Sequence, residues 1–189
     1  MSIFGDFAGA TFGLKDLKVA ARNADGSYGP AVDVPSAQMY EVNPQTVNAQ
    51  LEGDDQITAT HAVATGAQVR FRFGSVPFEL LAILTGKTIS DYGSESTADR
   101  VELLRLDALR FPYFGIVGKV ESVEDEGSMH VFVPMLKVME GFTVGFQYGQ
   151  FTIPEITCQA IPDSVHGIVE LIKYEEADVA VTIPPVYGE

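Results

Sequence analysis

The clearest pattern in the chain is strict alternation over residues 67–73. Val69, Phe71 and Phe73 share one face, and Gln68, Arg70 and Arg72 share the other. A period of two marks a strand with one face on a core and the other on water or a polar partner. Gly74 ends the run. Ser75 and Val76 then offer a helix cap, and Pro77 suits a first helical turn, where its missing N–H costs nothing. Residues 77–85 carry Phe78, Leu80, Leu81, Ala82, Ile83 and Leu84, and Gly86 is placed to close the helix. Apolar residues encircle this segment, so more than one side of it has to be covered. It falls short of the roughly 20 apolar residues that span a bilayer.

Upstream, residues 14–22 read as a strand, and Asn23-Ala24-Asp25-Gly26-Ser27 as a turn with Gly26 free to take positive φ. Residues 38–42, 46–51 and 57–63 are strand-like. The polar, Thr- and Gln-rich connection over residues 43–66 is far longer than the roughly 2–5 residues of most hairpin loops, which predicts a role for it. At its middle lies the acidic turn Leu51-Glu52-Gly53-Asp54-Asp55. Residues 88–100 form a polar segment, predicted to be an exposed loop, and residues 101–109 fit helix and strand equally. Residues 111–123 and 129–138 make the plainest hairpin, turning at Glu124-Asp125-Glu126-Gly127. Residues 142–161 supply one or two further strands and 167–174 another. Residues 177–183 supply a last short one, ended by Pro184 and Pro185. Repeats and linker-like composition are absent, which predicts a single domain over residues 1–189. The fold expected is mainly β, a sandwich or partial barrel with one short helix packed on the sheet.

Composition narrows the function. The chain has 189 residues, 46% of them hydrophobic, enough for a substantial core. Twenty-six acids against 12 bases give a formal net charge of −14, the wrong sign for a protein that neutralises phosphates. Cys158, the single cysteine, sits in an apolar run and reads as a small buried hydrophobe. The first residues lack the basic stretch of a secretory signal, and Asp6 interrupts them, so synthesis in a cytoplasm is expected. Residues 1–12 form a loose arm whose Phe4, Phe7 and Phe12 have to fold back or dock on a neighbour.

The search for catalytic or metal-binding grammar yields little. His61, His130 and His166 are far apart, and none has the H-x-x-x-H spacing that puts two rings on one metal. The Asp25-Gly26 turn lacks the acids of a calcium loop. Gly53-Asp54-Asp55 resembles the metal-binding turn of RNA polymerases, which works only inside a much larger palm domain; here a tight acidic turn suffices. Phosphate-binding, nucleophile-elbow and dithiol motifs do not occur. These observations predict a protein that is not an enzyme and uses no cofactor or metal. Two alternatives stay open: a tail-tip or receptor- or carbohydrate-binding β-sandwich, and an enzyme with dispersed carboxylates.

The order of elements resembles the major tail tube proteins of long, non-contractile bacteriophage tails. The resemblance is carried by Gly13-Leu14-Lys15-Asp16-Leu17-Lys18-Val19, by the turn at residues 51–55, and by the helix at 77–86. Two later runs add to it: Lys137-Val138-Met139-Glu140-Gly141-Phe142 and Phe146-Gln147-Tyr148-Gly149-Gln150-Phe151-Thr152. It implies a virion protein that self-assembles into six-membered rings sharing an inner β-barrel. The rings would stack into a tube for DNA, with tape-measure and terminator or tip proteins as further partners. Four strands per copy, at about 4.8 Å spacing and about 40° tilt, give a barrel roughly 48 Å across between backbones. Side chains of roughly 5 Å on each wall leave a channel of about 38 Å, wide enough for duplex DNA. An acidic channel would repel phosphate, and six copies at −14 carry −84 formal charges. Glu41, Glu121 and Glu124 are the candidates for that lining. For stacking, the candidates are Glu52, Asp54 and Asp55 on the long connection, with Arg70, Arg72 and Arg100 as acceptors on the next ring.

Overall fold

The computed structural model describes residues 11–53, 56–75, 77–91, 101–103, 111–122, 127–139, 148, 153–164, 167–175 and 180–184. The chain is mainly β. Its elements are β1 (Thr11–Ala21), β2 (Val32–Asp33), β3 (Ala37–Gly53), β4 (Gln56–Phe73), α1 (Phe78–Thr85), β5 (Ile89–Asp91) and β6 (Val101–Leu103), followed by β7 (Phe114–Ser122), β8 (Ser128–Val138), β9 (Glu155–Ala160) and β10 (Leu171–Glu175). One antiparallel sheet runs β2-β1-β7-β8-β9-β4-β3, with β10 pairing the first half of β8 where β9 does not reach. β5 and β6 form a separate two-stranded sheet. The main sheet curls without closing into a barrel.

The alternation at residues 67–73 sets the core. Val69, Phe71 and Phe73 are fully buried, and they meet Leu17, Val19, Ile116, Val133, Leu136 and Ile156 inside the curl. Each such side chain contributes about 1.5–3 kcal/mol on burial. α1 closes the open side of this core through Leu80, Leu81 and Leu84, lying against β1 and β2 on one flank and β5 and β6 on the other. That answers its all-round apolar character. Gly86 ends it at φ 70°, its N–H donating to the Ala82 carbonyl at 2.8 Å. The N-terminus differs from expectation: Pro77 is the extended residue before the first turn, and no side chain caps the helix.

The long connection at residues 43–66 is not a loop. β3 and β4 pair continuously from Ala37↔Phe73 to Gly53↔Gln56. Pro44 and Gly66 look like breakers in the sequence, yet both are absorbed. Pro44 lies on an edge strand, where a missing donor is tolerated. Thr65 is the extra residue of a bulge between Gln45↔Gly66 and Thr46↔Ala64, and its hydroxyl donates to the Gln45 carbonyl at 3.4 Å.

Other expectations need adjustment. The predicted loop at 88–100 begins with β5, and residues 101–103 are strand; the rest of 92–110 lies outside the described residues. The short strand expected at 177–183 does not form in its described part, residues 180–183. There Val181 and Ile183 pack as side chains on Val117 and Phe132, on the outer face of the sheet, without joining a ladder. The hairpin β7–β8 is as read, and its tip at 123–126 lies outside the described residues; of the arm expected at 1–12, residues 11 and 12 belong to β1 and 1–10 lie outside the described residues.

Candidate assembly surfaces

Because β3, β4 and β9 bury one set of side chains, the alternate set forms a continuous polar face. Register fixes its rows: Met39, Arg72 and Glu155; then Glu41, Arg70 and Thr157; then Asn43, Gln68 and Gln159. Arg72 Nε donates to Glu155 Oε2 at 2.7 Å. Arg70 donates to Gln68 Oε1 at 3.1 Å, and its Nε is buried without a hydrogen-bond partner. Gln159 Nε2 donates to Gln45 Oε1 at 2.9 Å, tying β9 to β3 across β4. Glu41 is exposed and stands directly opposite Arg70.

The structure thus brings together Glu41, Arg70 and Arg72, which the sequence reading gave two different jobs. Two arginines face two glutamates in these rows, so the face is balanced in charge. Glu121 lies elsewhere, on β7, where Lys15 Nζ reaches its Oε2 at 3.0 Å. Glu52 is placed by its backbone near the end of β3. Glu124, Asp54, Asp55, Arg100 and His166 lie outside the described residues.

Past Gln45 and Gly66 the β3–β4 pair leaves the sheet, since β9 pairs β4 only from Ala67 to Arg72. Nine residues of β3, 45–53, therefore project as a two-stranded ribbon of about 30 Å. Residues 43–50 and 61–65 are all exposed. Val47 and Val63 are cross-strand partners at 60% and 45% exposure. His61 belongs to this ribbon, opposite Ala49, far from any site it could serve with His130.

Two further exposed apolar residues belong to the segments next to the other end of β4. Phe73 donates its N–H to the Pro154 carbonyl, which places Ile153 beside the strand end, and Phe78 follows five residues after Phe73. Phe78 is 47% and Ile153 48% exposed.

On the outer face of β1, β7, β8 and β10, register aligns Asp16, Lys119, His130 and Lys173 in one row. Lys119 and His130 are buried, with Ser128 Oγ 3.2 Å from His130 Nε2. Sequence reading missed this polar layer, because register gathers it from four strands spread between Asp16 and Lys173. A buried ion pair joins Arg22 to Asp163, and Arg22 also donates to the Tyr28 hydroxyl at 3.1 Å. Cys158 packs in the core, where burial pushes its thiol pKa far up. Among the described residues no three His, Cys, Asp or Glu side chains converge as metal ligands.

No family model matches the chain, and no curated protein matches it significantly. Among solved structures, it is similar to the tube-terminating cap of the anti-feeding prophage, with TM-score 0.40 and 12% identity over 94% of this chain and 100% of that one. It is also similar to a chain of the sheath–tube complex of the extracellular contractile injection system PVC in its extended state. There the TM-score is 0.38 and the identity 10%, over 85% of this chain and 88% of that one. At such scores likeness decides nothing about function, and the residues themselves have to.

Proposed function

We propose that this chain is a structural subunit that assembles into six-membered rings stacked as a bacteriophage-type tail tube, through which DNA passes. The observation that carries this reading is the open end of the sheet. β3 is 17 residues long, and among the described residues no strand pairs its outer side. An edge of that length is a template for pairing with another chain, and a protein that keeps one needs a partner for it. Edge-to-edge pairing around a ring continues the sheet from copy to copy. The polar face of β3, β4 and β9 is the one free to line a channel, since the core and α1 occupy the opposite side.

The charge balance of that face gives a conduit a different logic from the acidic lining that the resemblance implies. Arg72 is held by Glu155, and Arg70 faces Glu41 and Gln68. With Arg72 ion-paired and Glu41 standing opposite Arg70, the net charge along these rows is zero, and counterion-release affinity does not build up along the channel. DNA slides because the wall is self-neutralised.

Negative-stain electron microscopy beside light-scattering mass tests the reading. Rings or tubes with a channel of about 40 Å are expected, the width that 24 tilted strands enclose. Particles without a channel, or a mass fixed at 20.4 kDa across concentration and salt, would overturn it.

A further inference from the structure

The core-facing side of β7, β8 and β10 continues past the packed core. Alternation from Ile116 and Val133, both in the core, puts Gly118, Val120, Val131 and Met129 on that same side. Register lines them up across the sheet. One row is Leu17, Gly118, Val131 and Ile172; the next is Leu14, Val120 and Met129. Tyr40 lies over Gly118, but toward β10 and the Leu14 row the cover is incomplete. Leu14, Val120, Val131 and Met129 are half-buried, and Ile172 is 60% exposed. Cross-strand neighbours stand about 5 Å apart, so the patch is continuous, and it holds no charged side chain.

The size of the patch decides what fits it. Four strands at about 4.8 Å and two rows about 7 Å apart give roughly 250 Å². That is far below the ~800 Å² each partner contributes to a stable subunit interface. It matches one or two aromatic side chains, which bury about 150–250 Å² each. β1 enters the sheet beside this patch. Gly13, at φ 73°, falls within a register shift between Phe12 and Leu14, so the strand bends directly before the second row. Residues 1–10 precede that bend and carry Phe4, Phe7 and a single charged side chain, Asp6. Counted back from Thr11, Phe7 has about 13 Å of extended chain and Phe4 about 23 Å. From β1 to β10 is three strand spacings, about 14 Å.

We propose that Phe4 and Phe7 of the N-terminal arm seat on this patch of the same chain and cap the open end of the curl. Phe7 covers the Leu14–Val120–Met129 row, and Phe4, with the longer tether, reaches Ile172. A linker of a few residues holds the aromatics at a millimolar effective concentration, so a patch too small to join two subunits suffices for an arm. The contact belongs to the single chain and needs no ring, so it stands or falls apart from the tube reading.

Limited chymotrypsin digestion of the dilute full-length protein, read by mass spectrometry, tests it. Cleavage after Phe4 and Phe7 should be slow in the wild type. Ile172→Asp, at an exposed position, should speed it about tenfold or more, the effect of losing a buried aromatic, while the denaturation midpoint holds. Equal rates in the two proteins would overturn the inference. So would protection that fades on dilution, because the arm would then sit on another copy. If Ile172→Asp lowers the midpoint, the arm supplies a second variant, since Phe4→Ala with Phe7→Ala leaves every strand intact. In methionine-methyl NMR that variant should move the Met129 signal, which loses its ring currents, and leave Met39, on the opposite face, in place. An unmoved Met129 signal sinks the contact.

Discussion

Gly118 lies flat beneath the ring of Tyr40. A Cβ built on Gly118 would come within 2.5 Å of Tyr40 Cδ1 and 2.9 Å of Cε1, far inside contact distance. This is how β3 and β7, separated in the sheet order, close on each other across the curl. The Tyr40 hydroxyl continues over β7 to the Val131 carbonyl of β8, at 3.4 Å. Burial, and secondarily the charge of Glu170, push the Tyr40 pKa well up. Gly118→Ala should destabilise by about 1–3 kcal/mol, the range of overpacking in a tight core. Gly29→Ala, whose new Cβ would have nothing nearer than 3.8 Å, is the control and should shift the denaturation midpoint little. Equal midpoints for the two variants would show that the ring moves aside freely.

The Arg22–Asp163 pair bridges the end of β1 to the loop after β9, with both side chains at least 94% shielded. Tyr28 donates to the Pro134 carbonyl at 2.8 Å and receives Arg22, so the cluster joins the end of β1, β8 and the segment 161–164. Removing one charge strands the other. Asp163→Asn should cost about 3–5 kcal/mol, the cost of breaking a buried pair. Replacing both residues with apolar ones of similar volume should cost less than Asp163→Asn alone. A chemical-denaturation double-mutant cycle reads the coupling.

Much of this was legible in the chain and some was not, for definable reasons. The 67–73 strand, α1 and its Gly86 cap, and the β7–β8 hairpin are written in local periodicity and turn chemistry. Continuity of the ribbon through Pro44 and Gly66 was not, because it depends on Pro44 lying at a sheet edge and on a bulge at Thr65. Likewise 141 residues separate Arg22 from Asp163, and no local pattern announces their meeting. The placement of Glu41 opposite Arg70 was not legible either: counting outward from Gly53↔Gln56 pairs Glu41 with Gln68, and the bulges at Leu51/Glu52 and Gln45/Thr46 shift the partner two residues to Arg70.

Glu170 provides a pH-dependent check. Burial raises its pKa above the usual carboxylate value. The folded state therefore holds the proton more tightly than the unfolded chain. Stability associated with this group is full at low pH and is lost as pH rises through the folded-state pKa. Glu170→Gln should raise the denaturation midpoint at pH 7, and the gain should vanish below about pH 4, where the unfolded carboxyl is itself protonated. An equal gain at both pH values would show that side-chain contacts, and not ionisation, set the difference.

Hydrogen exchange separates the ribbon from the body of the strand that forms it. Val69 and Phe71 amides sit between β3 and β9 in the buried core, and should exchange only through global opening. Amides of residues 46–50 and 61–64 belong to a pair of strands with exposed side chains and, among the described residues, no third strand, so local opening should suffice. In the dispersed protein the ribbon should lose protection orders of magnitude faster than residues 67–72. In assembled material it should slow toward the core rate. A ribbon equally fast in both states would leave it without a partner.

The charge-balanced face makes the sharpest prediction about a conduit. Glu41→Lys shifts the charge by +2 per copy and sets a cation directly opposite Arg70, which at this exposed position should cost no more than about 1 kcal/mol. In a six-membered ring the wall would shift by +12. Tubes of the variant should then retain duplex DNA at low salt and release it as salt rises, since each phosphate neutralised contributes to a steep salt dependence. DNA held inside a tube is shielded from nuclease, whereas DNA on the outer wall is cut. Nuclease-resistant DNA in variant tubes, and its absence in wild-type tubes, would put this face at the lumen. Bound but fully digestible DNA would put Glu41 on the outside.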